Sequence, residues 1–228
     1  MSTLPFTLLV VAKAPVAGFA KTRLTPPLSP SQAAELAAAS LLDTLTAAAA
    51  SAAAHLVLAW TGDLDRAQSR TDIALAAKDF EVVEQCGNGF GERLANAHAA
   101  AARTGLPVLQ IGMDTPQAGP ELLTECGARL LGASGAVLGP ATDGGWWALG
   151  VHDPRAARVL ADVPMSTART GDLTRESLQR NGYQVEPLIE LEDVDHYDDI
   201  ARVAGTCGGG RFGAAAVRFG AADVPASR

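Results

Sequence analysis

Short apolar runs recur along the chain and alternate with alanine-rich stretches of helical length. Residues 6–12, 55–60, 80–84, 107–112 and 135–139 are apolar over strand length and bounded by polar or turn-forming residues. Such alternation predicts a mostly parallel sheet covered by helices on both faces, a three-layer α/β/α arrangement. Ser29-Pro30-Ser31 reads as a helix start, and residues 32–54 follow with Ala38, Leu42 and Leu45 on one face, giving the first crossover helix. After Gly139 the pattern changes. Residues 146–151 form a strand entered through Gly144-Gly145, which suits a hairpin and predicts one reversed strand in a mixed sheet.

The 228 residues suffice for one α/β domain, expected over residues 1–204. Beyond it, residues 205–228 hold Gly208-Gly209-Gly210, many alanines and few large apolar side chains, and read as a flexible C-terminal tail. With 48% hydrophobic residues and a mean hydropathy of +0.13, the chain reads as globular. No run reaches the ~20 apolar residues of a membrane span, and residues 8–12 lack the basic flank of a secretory signal. The net charge of −7, without a lysine/arginine stripe, argues against nucleic acid as a partner. Cys86, Cys126 and Cys207 are odd in number and widely spaced, giving neither a disulfide framework nor a zinc site. A cytoplasmic location without membrane contact is the expectation.

Candidate chemistry begins where the first strand ends. Lys13, Lys21 and Arg23 crowd a loop that also contains Pro15 and Gly18. In an open parallel sheet, ligands bind beyond the carboxyl ends of the strands, so these cations stand where phosphates would be met. It is not a Walker-A loop: Ala20 holds the place of the required glycine, and Pro26-Pro27 stop any helix opening at Lys21. Gly87 to Gly91 fails the dinucleotide fingerprint because Glu92 replaces its last glycine.

Two acids also follow strands. Asp114 lies just past residues 107–112, before Pro116; Asp143 precedes two glycines and the Trp146-Trp147 pair, whose rings must point to opposite faces. A third acidic run spans residues 192–199; Asp198 and Asp199 fit a helix N-terminus, which leaves Asp195. His55, His98, His152 and His196 form no metal-binding pair, and no serine-hydrolase elbow is present.

Four ordered motifs carry a family resemblance. They are A-K-x-P-x-x-G-x-x-K-T-R-L from Ala12 to Leu24, G-x-D-x-P from Gly112 to Pro116, G-P-x-x-D-G-G-W from Gly139 to Trp146, and D-V-D with a following acid from Asp193 to Asp199. Together they resemble the small bacterial transferases of the glycosyltransferase-A superfamily that are similar to 2-phospholactate guanylyltransferase. That resemblance implies a nucleotide-diphospho-sugar transferase-like fold. It further implies Mg²⁺ or Mn²⁺ on Asp114 and Asp195; catalysis would then draw on Lys21 and Arg23 for charge neutralisation and, for glycosyl transfer, on Asp143 as general base. Ala12, Lys13, Pro15, Gly18, Gly112, Gly144, Gly145 and Trp146 would join Lys21 and Arg23 around the nucleotide. The implied partners are an NTP or nucleotide sugar and a small-molecule acceptor. Glycosyltransferases of this superfamily carry D-x-D at the metal strand, whereas Gly112-Met113-Asp114 has only its last acid. That departure leans towards nucleotidyl transfer to a phosphorylated or carboxylated acceptor, with glycosyl transfer as the alternative and a non-catalytic nucleotide-binding protein as a third reading, disfavoured by the retention of both acids and all three cations.

Overall fold

The computed structural model describes residues 3–222. Its centre is β1 (Leu4–Lys13), a strand buried on both faces. Phe6, Leu8, Val10 and Ala12 point into one core, and Leu9 and Val11 into another. Two buried faces explain why the segment reads as a continuous apolar run rather than an alternating one. Around it lie β2 (Ala53–Thr61), β3 (Glu81–Glu84), β4 (Val108–Gly112), β5 (Ala136–Pro140), β6 (Trp146–Val151) and β7 (Val185–Pro187), in the order β3-β2-β1-β4-β6-β5-β7. Only β6 runs against its neighbours β4 and β5. The hairpin predicted through Gly144-Gly145 is therefore present, and all other strands end at one edge.

On one face pack α1 (Pro30–Ala50) and α4 (Pro120–Gly132). On the other lie α3 (Phe90–Ala101), a 3-10 turn at Ala156–Asp162 and α5 (Thr170–Arg180). A short α2 (Arg70–Ala76) joins β2 to β3. The start of α1 follows its sequence signal: Ser29 Oγ accepts from the Gln32 amide at 3.3 Å, and Gln32 Oε1 accepts from the Ser29 amide at 2.8 Å. Its end falls at Ala50 rather than at residue 54, because Ala53 and Ala54 belong to β2, where Ala53 pairs with Leu4 of β1. Alanine propensity cannot register that tertiary competition. By length and hydropathy α1 alone among the described helices could cross a membrane, which the sequence reading overlooked. Its apolar stretch is 72% buried within the fold, as a core helix is.

The flexible tail is a correction. After α6 (Tyr197–Thr206), the segment called a tail forms α7 (Arg211–Arg218), packed on α1 with Phe212 fully buried. Asp43 of α1 accepts from the amides of Arg211 (3.0 Å) and Phe212 (2.8 Å), capping α7 from outside. Small residues hid this packing from composition, because Ala33, Ala39, Ala215 and Ala216 let two helices approach closely around a single aromatic. Residues 223–228 of that reading lie outside the described ones.

Candidate functional site

Four loops converge at the common carboxyl edge. The first leaves β1 and is held by backbone bonds: Ala14 N donates to Thr61 O at 2.8 Å, and Pro15 O accepts from Gln68 N at 2.9 Å. Lys21 adopts a left-handed conformation (φ 50°), and the helix the prolines forbid is reduced to one 3-10 turn, Thr22–Leu24, pinned by buried Leu24. Lys13 stands with its Nζ 3.8 Å from the centre of the Phe19 ring, and burial, then the Arg93 charge, lowers its pKa.

The second loop presents Asp114. Ser40 Oγ of α1 donates to Met113 O at 2.6 Å, fixing the turn after β4 from below. The fourth loop, beyond β7, runs alongside: Val194 N donates to Asp114 O at 3.0 Å, and Leu191 bridges Ala141 of the third loop in parallel. Lys21 ties these together. Its ammonium donates to Val194 O and lies 2.9 Å from Asp114 Oδ1, with only 11% of its side chain exposed. Arg23 pairs with the Asp195 carboxylate. The Asp199 carboxylate, at the third position of the helix that follows, accepts from the amides of Asp195 (3.0 Å) and His196 (2.6 Å), in keeping with the helix N-terminal place expected of it.

Two cavities of about 210 Å³ each flank Asp114. One is lined by Lys13, Lys21, Arg23 and Asp195; the other by Asp143, Asp193, Gln110, Thr115, Trp146 and Met165, among others. Met113 and Asp114 line both and form the wall between them. Asp114 Oδ1 is buried, and its partner is the Lys21 ammonium. The Asp193 carboxyl is pushed up to about 6, by burial first and by the Asp143 charge next, with Lys21 opposing. Asp143 is exposed and oriented by its own turn, Oδ1 accepting from Gly145 N at 2.7 Å.

The remaining sequence candidates divide. Gly112, Gly145 and Trp146 line the acidic cavity, while Trp147 turns to the opposite face, 3% exposed, and donates its indole N–H to Ile189 O at 2.9 Å. Ala12, Pro15, Gly18 and Gly144 line neither cavity. Ala12 and Pro15 are buried, and their carbonyls are already used by Gln85 and Gln68. Gly144 (φ +87°) is needed for packing, since a Cβ there would lie 2.0 Å from Ala168 O. None of the four histidines lines either cavity. Asp193, Gln110 and Thr115 were missed. Asp193 lay within the quoted D-V-D motif, and Gln110 is a lone polar residue at the centre of an apolar strand, a signal open to inspection. Among the described residues no three His, Cys, Asp or Glu side chains cluster closely enough to hold a metal by themselves.

The profile of a bacterial family, described as "Uncharacterized protein conserved in bacteria (DUF2064)", matches residues 44–167, more than half of the chain. The chain belongs to this family. The match takes in the Asp114 and Asp143 loops. No curated protein matches this DUF2064 chain. A protein of Desulfovibrio desulfuricans G20, provisionally named a nucleotide-diphospho-sugar transferase, shares 26% identity at a TM-score of 0.83, covering 97% of this chain and 96% of that one. A cytidylyltransferase of Leptospira borgpetersenii shares 11% identity at a TM-score of 0.57, covering 95% of each chain. Rv0371c of Mycobacterium tuberculosis H37Rv, in a complex with manganese, shares 20% identity at a TM-score of 0.54, covering 88% and 98%. In these last two the likeness is one of fold. The DUF2064 protein thus has the nucleotide-diphospho-sugar transferase-like α/β fold that its motifs implied.

Proposed function

We propose that this DUF2064 protein is a divalent-metal-dependent transferase that uses a nucleotide donor, and that the group it transfers is a glycosyl unit. The observation that carries the reading is the position of Asp114 between a cation-lined cavity and a carboxylate-lined one. Lys13, Lys21 and Arg23 suit a diphosphate, to which charge-assisted hydrogen bonds are the strong ones. The metal fits the residues present: Asp114 and Asp193 line the same wall, and the Lys21 ammonium holds Asp114 Oδ1 at 2.9 Å, which leaves Asp114 Oδ2 for the ion. We assign the Mg²⁺ or Mn²⁺ to Asp114 and Asp193, and give Asp195 the task of holding Arg23. Two carboxylates suffice for Mg²⁺, which takes its other ligands from phosphate and water. When bound, the ion supplies charge neutralisation at the diphosphate oxygens. The name of the Desulfovibrio protein and the manganese of the mycobacterial complex agree with this reading.

Glycosyl transfer is preferred over the nucleotidyl transfer that the missing D-x-D acid favoured, because among the described residues no lysine or arginine lines the acidic cavity. An anionic acceptor there would meet the Asp143 carboxylate with like charge. In the proposed step the Asp143 carboxylate takes the proton of an acceptor hydroxyl as its oxygen bonds to the anomeric carbon. The bond from that carbon to the diphosphate breaks, and Lys21 and Arg23 face the charge that develops. Three free cysteines, Cys86, Cys126 and Cys207, agree with a reducing cytoplasm.

The test is to incubate the protein and Mg²⁺ with panels of nucleotide sugars and NTPs and identify the phosphate species released. A nucleoside diphosphate supports glycosyl transfer. Pyrophosphate supports nucleotidyl transfer, and release of neither rejects both.

A further inference from the structure

The acidic cavity contains more than acids. Gln110 is 2% exposed and Thr115 3%, and Gln110 Oε1 and Thr115 Oγ1 have no hydrogen-bond partner. Trp146 Nε1 is likewise buried and unpartnered. Buried polar atoms in native proteins are nearly always satisfied, so three orphans on one cavity wall point to a ligand that completes them. Gln110 makes the case most sharply. Its strand neighbours on the same sheet face are Leu9 and Val11 of β1 and Leu149 of β6, all buried and apolar, and a glutamine among them costs desolvation free energy with nothing in the fold to offset it.

The chemistry of the three atoms selects the ligand. Gln110 Oε1 can only accept, so its partner must donate. The Trp146 indole N–H can only donate, so its partner must accept. A hydroxyl does both. A carboxylate or phosphate at neutral pH only accepts, so it cannot complete Gln110 Oε1, and it would meet the Asp143 carboxylate with like charge. The lining also includes Leu94, Met165 and the Trp146 ring, which suit the C–H face of a ring.

Resting on the transferase reading above, we infer that the cavity walled by Gln110, Thr115, Trp146 and Asp143 binds an uncharged or amino-bearing polyhydroxyl ring, and excludes uronic acids and sugar phosphates. The ring can belong to the donor's glycosyl unit or to the acceptor. At about 210 Å³ the cavity is smaller than the roughly 300–1,000 Å³ of sites for drug-sized ligands, as a single small ring requires.

Saturation-transfer NMR in MgCl₂ tests this without turnover. The probes are glucose, galactose and mannose, then glucosamine, then glucuronate and glucose 6-phosphate, each with wild type, Trp146→Ala and Gln110→Leu. Gln110→Leu is near in size and joins an apolar face, so it reports on binding if Trp146→Ala folds poorly. The expected result is saturation of neutral and amino sugars only, weakened about three- to tenfold by Gln110→Leu, as loss of one hydrogen bond implies. Repeating the measurement with UDP-glucose and GDP-mannose separates the sources: a sugar they displace occupies the donor's ring subsite, and one that stays bound is an acceptor. Saturation of the acidic sugars that depends on Trp146 or Gln110 would overturn the inference, as would saturation of no sugar at all. Because no nucleotide is needed for the first measurement, sugar binding without phosphate release would reject the transferase reading and leave the cavity's preference standing.

Discussion

Asp193 occupies a position that function and stability pull in opposite directions. Its carboxyl is raised to about 6 in the fold, against an unfolded value of about 3.9. A raised carboxyl contributes stability that is present below the unfolded value and lost as pH rises through about 6, so at neutral pH the ionised group destabilises the metal-free chain. Asp193→Asn should therefore stabilise the metal-free protein at pH 7.5 by roughly 1–3 kcal/mol, about 1.4 kcal/mol for each unit of the shift. Thermal denaturation reads it directly. Added Mg²⁺ should raise the melting temperature of the wild type and not of the variant; an unchanged or lowered melting temperature for the metal-free variant would refute the account. His98 carries the opposite shift. Fully buried in α3 with both ring nitrogens unpartnered, it is held neutral by burial with a pKa of about 3. Below pH 6.5 the unfolded chain binds a proton that the native state refuses, so stability falls by up to about 1.4 kcal/mol per pH unit on the way towards pH 3. His98→Leu removes this dependence, and urea unfolding from pH 7 to 4.5 should show its advantage over wild type widening as pH falls. Parallel pH profiles would count against it.

At the scale of elements, α7 shows where the sequence was and was not readable. The first six strands were legible because all but β3, a short and mostly exposed Glu-Val-Val-Glu, are apolar runs whose length and flanking turns are local properties, and the reversed strand announced itself through Gly144-Gly145. The last strand, β7, is only Val185–Pro187, with Leu191 continuing its line as a bridge, too short a stretch for periodicity to mark. In the candidate site, the cationic loop and Asp114 were legible because cations and a lone acid just past apolar strands are unusual in sequence. The choice between Asp193 and Asp195 was not legible. It depends on Arg23, far away in sequence, taking the Asp195 carboxylate. In the same way α7 depends on a cap that α1 supplies and on a cleft between alanines, neither visible within residues 205–222. Removing that packing should be costly. Phe212→Ala is expected to destabilise by about 3–5 kcal/mol, the range for truncating a buried aromatic. Asp43→Ala should cost about 0.5–2 kcal/mol as a lost cap. Chemical denaturation measures both, and a chain ended at residue 204 should be less stable than either, because Leu36 and Ala33 of α1 lose their cover. Stability unaltered by that truncation would restore the tail.

Taken as a whole, the molecule is acidic, with a net charge of −7, yet gathers Lys13, Lys21 and Arg23 at one edge of its sheet beside a cavity lined by acids. This separation divides recognition into two halves that meet only at Met113 and Asp114. Arg23 lines one cavity and Trp146 the other, with no shared partner in either. Effects of residues without shared partners usually add to within about 0.3–0.5 kcal/mol, whereas residues in one network couple by about 0.5–3 kcal/mol. For binding of the nucleotide sugar that the release assay identifies, Arg23→Ala and Trp146→Ala should then be additive in a double-mutant cycle. Asp114→Asn, paired with either, should not be: it leaves Lys21 without its 2.9 Å partner on one side and removes, on the other, a carboxylate that we propose holds the metal. Titration calorimetry of the single and double variants gives all the terms. Strong coupling between Arg23 and Trp146, or additivity throughout, would mean that Asp114 is not the joint between the halves and that phosphate and ring are bound by some other division of the edge.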